Sequence, residues 1–248
     1  MATHTNAGGS TYGRKFSISR ENGQADKNGR PYFFEWVKEL PTNTNGRKFE
    51  TRTGGNGDKH YELFSALDGI LVGIQRETKE FSGTPEDWLI LQMVDGAEDY
   101  RIEVGRIDSR YSMDIMKRLL DANFRENQKL RLSPYSVKDD KKGTYSIGLS
   151  AHSGVDGKLE AKRESAHLLG MPEPDKREWK GKIEYDFSQV AEWLYAQVEA
   201  FIAPKLVKDP ISAPGPKERA TQRVPANFPE EVHNYENNTP NPGEDLPF

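Results

Sequence analysis

The sequence predicts a mainly β body with two helices, an antiparallel sandwich or small barrel of short strands, and three observations carry that expectation. Between Arg14 and about Ala151 apolar and polar residues alternate, and Gly, Asn and Asp break the runs, which is the pattern of strands and hairpins. No strand-helix-strand rhythm accompanies it, so a parallel sheet with crossover helices is not expected. The 248 residues include no cysteine, which excludes disulfide scaffolds, Cys-based zinc or iron-sulfur sites and thiolate catalysis, and leaves burial to stabilise the body.

Residues 1–12 are small and polar and predict a flexible N-terminal arm ahead of a body over 13–203. Within the body, Ile70, Val72 and Ile74 share one predicted strand face; Leu89, Leu91 and Met93 form the next, followed by Tyr100, Ile102 and Val104, by Leu130 and Leu132, and by Tyr145, Ile147 and Leu149. A helix is predicted after Ser112 as N-cap, with Asp114 in its first turn and Met113, Met116, Leu119 and Leu120 as its apolar stripe. Residues 152–181 are charged and turn-rich, an excursion without a clear period, and a second helix spans 188–203 until Pro204 stops it. From 204 to 248 the texture changes: nine of the 15 prolines lie there and apolar periodicity vanishes, which predicts a disordered tail. No apolar run approaches the roughly 18 residues of a membrane span and residues 1–13 lack a secretory segment, so a cytoplasmic protein is expected.

The formal net charge of −4 is unevenly spread. Residues 224–248 hold five acids and no Lys or Arg, whereas the first 60 residues hold ten basic residues against six acids. In that basic half, Tyr32, Phe34, Trp36 and Lys38 alternate along one predicted strand, and Arg47, Lys48, Arg52, Lys59 and Tyr61 follow. Interleaved aromatic and cationic residues suit a single-stranded nucleic acid, because cations track phosphates and aromatic rings stack on bases of any identity. The same rings would equally serve as core residues of a barrel. Arg76, and Lys138, Lys141, Lys142 and Tyr145 after the first helix, extend the candidate set.

Other chemistry has less support. The five histidines form no metal-ligand spacing, and Gly54-Gly55-Asn56-Gly57 lacks the P-loop pattern and reads as a hairpin loop. Glu86, Asp87, Asp95, Glu98 and Asp99 sit at predicted strand ends, where acids either form turns or hold Mg²⁺ for a nuclease. The chain closes on Glu244, Asp245, Leu246, Pro247 and Phe248, an apolar tip on an acidic leash, which a partner pocket with basic rim residues would capture.

That ending resembles the acidic tip, closing in Ile-Pro-Phe, of bacterial single-stranded DNA-binding proteins, carried here on Asp245, Leu246, Pro247 and Phe248. The plan of a β-rich body plus acidic tail ending in Phe is similar to phage single-stranded DNA-binding proteins; the body matches in architecture only, and the tip has only two adjacent acids. The resemblance implies an antiparallel OB-fold-like barrel with an added C-terminal helix. It implies a non-enzymatic protein, needing no cofactor or metal, that coats single-stranded DNA in replication, recombination or repair. Through its tail it would recruit a polymerase, helicase or nuclease, with homo-oligomerisation open. A metal-dependent phage nuclease and a virion or adaptor protein docking by its tail are the alternatives.

Overall fold

The structure, a computed structural model, describes residues 13–19, 31–54, 57–121, 123–139, 144–153, 157–160, 166–179 and 182–206. The arm at 1–12, Lys141, Lys142 and the tail beyond 206, with its tip Glu244–Phe248, lie outside the described residues.

Ten strands form one sheet: β1 (Arg14–Ile18), β2 (Phe33–Val37), β3 (Lys48–Gly54), β4 (Gly57–Phe64), β5 (Leu67–Phe81), β6 (Thr84–Asp95), β7 (Glu98–Arg106), β8 (Lys129–Asp139), β9 (Thr144–Ser153) and β10 (Gly157–Leu159). Helix α1 (Arg110–Leu119) joins β7 to β8; a separate hairpin of β11 (Asp175–Trp179) and β12 (Lys182–Asp186) precedes helix α2 (Ser188–Phe201). The body is therefore mainly β with two helices.

The sheet runs β10-β9-β8-β5-β6-β7-β1-β2-β4-β3. Its centre, β8-β5-β6-β7, is a Greek key: three strands joined by hairpins, then a fourth that returns through α1 to lie beside the first. Tight turns set the registers. Ser82 and Gly83 both adopt positive φ, 51° and 81°, the type I′ geometry whose twist suits a two-residue hairpin between β5 and β6.

The sheet is neither purely antiparallel nor closed. Strand β1 pairs in parallel with β7, from Arg14↔Tyr100 to Ser17↔Glu103. Phe16 and Ile18 bury beside Tyr100 and Ile102, so the N-terminal strand takes the edge of β7 that a closing strand would need. Strand β10 occupies the far edge of β9 in the same way.

Leu89, Leu91 and Met93 of β6, Ile102 of β7, Leu130 and Leu132 of β8 and Leu149 of β9 face the core, together with Ile115, Met116 and Leu119 of α1. Helix α2 adds Val190, Leu194 and Val198. Ile70, Val72 and Ile74 do not share a face, because a β-bulge between Leu71 and Gly73 switches the register. The N-cap of α1 is Ser109, not Ser112: its backbone is extended and its Oγ accepts from the Ser112 amide at 3.3 Å, while Ser112 is buried inside the first turn. The described residues of 152–181 include the end of β9, β10, a 3-10 turn over Ala166–Leu168 and β11. After α2, Pro204 sits within a second 3-10 turn, Ala203–Lys205, and Leu206 is still buried, so packing continues past 203.

Asp114 does not act on the helix dipole of the first turn but anchors α1. Its Oδ2 accepts from Arg118 Nε at 3.0 Å, from the Tyr135 hydroxyl at 3.1 Å and from the Leu149 amide at 2.9 Å. Arg118 Nη1 donates to the Leu159 carbonyl at 2.7 Å, so the cluster ties α1 to β8, β9 and β10. A Cβ at Gly148 would fall on Asp114 Oδ2 and the Tyr135 ring; only glycine lets the cluster approach the β9 backbone so closely.

Candidate functional site

Paired residues in adjacent strands project to the same side of a sheet, so the registers define which side chains share a surface. Phe34 pairs with Leu63, Trp36 with Tyr61, Glu50 with Tyr61 and Arg52 with Lys59. Phe34, Trp36, Tyr61, Lys59, Lys48, Glu50 and Arg52 therefore occupy one face of β2, β4 and β3. The opposite face carries Phe33, buried in the core. Phe34 and Trp36 are thus surface residues of the sheet, not filling of a barrel.

The aromatic cluster is organised around Arg52. Its guanidinium lies 4.9 Å from the Phe34 ring centroid and 4.6 Å from that of Tyr61, and the two rings meet edge to face at 5.4 Å. Glu50 Oε1 accepts from Arg52 Nε at 3.1 Å, and the Tyr32 hydroxyl accepts from Nη2 at 3.0 Å while donating to Glu50 Oε2 at 2.6 Å. Burial would raise the Glu50 carboxyl, but these hydrogen bonds outweigh it and hold it below its ordinary value. Burial first, then the bond to Glu50, pushes the Tyr32 phenol up to about 12, so it remains a neutral donor at physiological pH. Trp36 stands clear of this network, 59% exposed. Lys59, directly across from Arg52, brings two cations together, an arrangement that costs stability in the absence of an anion. Lys38 follows the end of β2 and is exposed, as is Lys48.

The same face continues inward. Ser17 pairs with Phe34, Lys15 with Arg101, Gln92 with Arg101 and Glu77 with Trp88. A groove of about 590 Å³ runs here, lined by Arg14, Lys15, Glu77, Lys79, Phe81, Arg101 and Glu103. Glu103 is buried in its floor, and Lys15 Nζ and Lys79 Nζ each reach its Oε1 at 2.7 Å. Burial alone would raise this carboxyl; the two lysines more than offset it, so it stays ionised and below its ordinary value. At the tip of the β5–β6 hairpin Phe81 stacks on Trp88 with centroids 5.4 Å apart, and Lys79 Nζ lies 4.4 Å from the Trp88 ring centroid. The groove lining sets Arg14, Lys15, Lys79 and Arg101 against Glu77 and Glu103, and β2, β4 and β3 set Lys48, Arg52 and Lys59 against Glu50 on the shared face, so both stretches carry an excess of cations.

Three sequence-predicted residues are placed elsewhere. Tyr32 is only 4% exposed and serves as a hydrogen-bonding prop under Arg52, leaving no ring face for a base. Arg47 turns to the other side of the sheet, where it pairs with Glu62 at 3.2 Å. Arg76 follows the bulge onto the α2 side, paired with Asp87 and with Glu192 at 2.7 Å. Lys138 is exposed at the end of the β8–β9 hairpin, with Tyr145 as its register partner. Lys79, Phe81 and Arg101 join the surface unpredicted, with Trp88 buried beneath Phe81 and Lys79. Their signal was present as the alternation of Lys79 with Phe81 and of Trp88 with Ile90 and Gln92 beside the Ser82-Gly83 turn.

Four of the five strand-end acids are engaged in ion pairs: Asp87 with Arg76, Asp95 with Lys129 at 2.9 Å, Glu98 with Arg14 at 3.3 Å and Glu86 with Arg106 at 3.6 Å. Among the described residues no three His, Asp or Glu side chains gather to hold a metal ion, and no helix is long and apolar enough to cross a membrane. No family model, curated protein or solved structure matches the chain.

Proposed function

We propose that the chain binds single-stranded nucleic acid, DNA in the first instance, in a sequence-tolerant and non-catalytic way. The observation that carries this reading is the exposed Trp36 on one sheet face with Phe34, Tyr61, Lys48, Arg52 and Lys59. A base stacks on Trp36 and its neighbouring phosphates meet Lys59, Lys48 and Lys38; Tyr61 and Phe34, stiffened by Arg52, offer ring edges.

The connectivity supports an OB-type core as the frame of this site. A meander β5-β6-β7, then α1, then a hairpin β8–β9 whose first strand returns to β5 has the order of a five-stranded, partly open Greek-key barrel. Barrels of that type bind oligonucleotides on strands two and three and on the loops joining one to two and four to five. Here those are the β6–β7 face with Arg101, the β5–β6 tip with Phe81 resting on the buried Trp88, and the end of the β8–β9 hairpin at Lys138. The strands β1, β2, β4 and β3 would prolong that face beyond the core.

Titration of labelled oligo-dT, and of duplex of equal length, over a salt series tests the reading. Tighter binding of the single strand is expected, with log K falling against log salt by about 0.7 for each phosphate contacted. No affinity for either nucleic acid at low salt overturns it in favour of an adaptor protein. The acidic C-terminal segment belongs to the same proposal. Residues 224–248 carry five acids and no base, a charge that would compete with DNA for cationic residues, while Leu246, Pro247 and Phe248 would recruit a replication or recombination protein. Removing 224–248 is therefore expected to tighten oligo-dT binding and abolish recruitment; unchanged affinity and recruitment would refute both roles.

A further inference from the structure

We propose that two copies of the chain join through β3, antiparallel and centred on Thr51, to make one continuous sheet. The two ends of the ten-stranded sheet differ in kind. Strand β10 is three residues long, a short edge of the sort that resists further pairing. Strand β3 is seven residues long, contains no Pro or bulge, and among the described residues pairs with β4 alone. Its charged residues, Lys48, Glu50 and Arg52, are of both signs, so a second strand can meet them in a complementary register.

The register with β4 says which of its amides are available. Gly54 pairs with Gly57 across a two-residue connection, and such a closing pair must exchange both backbone hydrogen bonds. Alternation along the ladder then directs the N–H and C=O groups of Gly54, Arg52, Glu50 and Lys48 toward β4. Those of Thr53, Thr51 and Phe49 point outward, unpaired by the sheet. A two-fold axis at Thr51, the midpoint of the strand, uses all three outward residues: Thr51 bonds Thr51 of the second copy, and Phe49 bonds Thr53 of it in both directions.

The side chains agree with that register. Glu50 then lies directly opposite Arg52 of the second copy, in a non-hydrogen-bonded position where facing Cα atoms approach to about 4.5 Å. Within one copy these residues already pair at 3.1 Å, so the junction becomes a neutral ring of two carboxylates and two guanidinium groups. Shifting the centre to Phe49 or Thr53 keeps the outward amides but shortens the overlap. The proposal stands independently of nucleic-acid binding. Its consequence, if the face bearing Trp36 binds a single strand, is that the two binding faces abut on the same side of the sheet.

The test is the mass of the full chain, free of nucleic acid, by light scattering after gel filtration over a concentration series. The expected result is a rise from one chain mass to two. Thr51→Pro removes an outward amide without touching the β3–β4 ladder, so it is expected to hold the mass at one chain with an unchanged circular dichroism spectrum. Glu50→Arg and Arg52→Glu each set like charges opposite one another and should each remain at one chain mass. Mixed in equal amounts they become complementary, and the mass should double. The charge pair decides the question if the proline variant fails to fold. A wild-type chain that stays at one mass throughout overturns the proposal. So does a dimer that survives both Thr51→Pro and Glu50→Arg, or a mixture that fails to recover; capture of an extended peptide by β3, with no change in self-mass, would assign the edge to a different partner and also overturn it.

Discussion

Trp36→Ala is expected to weaken oligo-dT binding by about 1–3 kcal/mol, roughly 5- to 150-fold in Kd, while leaving thermal unfolding within the small range of an ordinary surface substitution. The separation follows from geometry. Trp36 is 59% exposed, so its truncation opens no cavity, and what is lost is the stacking platform. Its cross-strand partner Tyr61 and the Arg52 cluster remain assembled, because Arg52 is held by Glu50, Tyr32 and the two rings rather than by Trp36. The same titration with Lys59→Ala should lose affinity at low salt and flatten the salt slope by about 0.7, the signature of one phosphate contact. Equal loss of affinity and of melting temperature in Trp36→Ala would instead make the ring a structural residue.

The strands of the body were legible because half-buried strands write their faces at period two. Leu89, Leu91 and Met93, and Tyr100, Ile102 and Val104, line the core as their spacing requires. The stripe Phe34, Trp36, Lys38 was legible for the same reason, but its side of the sheet was not: alternation shows that residues share a face without showing which face meets water. That depended on Phe33, the intervening residue, being the one that packs in the core. Tyr32 keeps the parity of the stripe and still sinks, because Glu50 and Arg52 come from a strand two places away and claim its hydroxyl. The bulge at Leu71/Gly73 was hidden in an apparently regular Ile70, Val72, Ile74 series, and it is what carries Arg76 to the α2 side. The parallel ladder of β1 on β7 was illegible because no local pattern encodes a partner about 86 residues away. Register between distant strands is decided by what each buries, here Phe16 against Tyr100 at 5.5 Å.

Arg118→Ala provides the converse case, a variant expected to lose stability by about 3–5 kcal/mol, as when one partner of a buried pair is removed, with no specific effect on the binding face. The Arg118 side chain is 8% exposed, and its guanidinium is held protonated: burial opposes the charge, but the Asp114 carboxylate and the Tyr135 hydroxyl outweigh it and raise its pKa. Alanine leaves Asp114 with two neutral donors, Tyr135 and the Leu149 amide, and strips the Leu159 carbonyl of the Arg118 Nη1 donor. The β10 edge and the seat of α1 on β9 should loosen together, since one side chain spans both. Chemical denaturation should therefore show a lower midpoint, and oligo-dT affinity measured well below that midpoint should be retained. Arg118→Lys is expected to recover little, because an ammonium cannot reach Asp114, Tyr135 and Leu159 with the fixed fork that a guanidinium presents. Read beside Trp36→Ala, this separates the two jobs of the body: the cluster on α1 holds the Greek key together, and the opposite face, free of that duty, can keep an exposed tryptophan and facing cations that stability alone would not select.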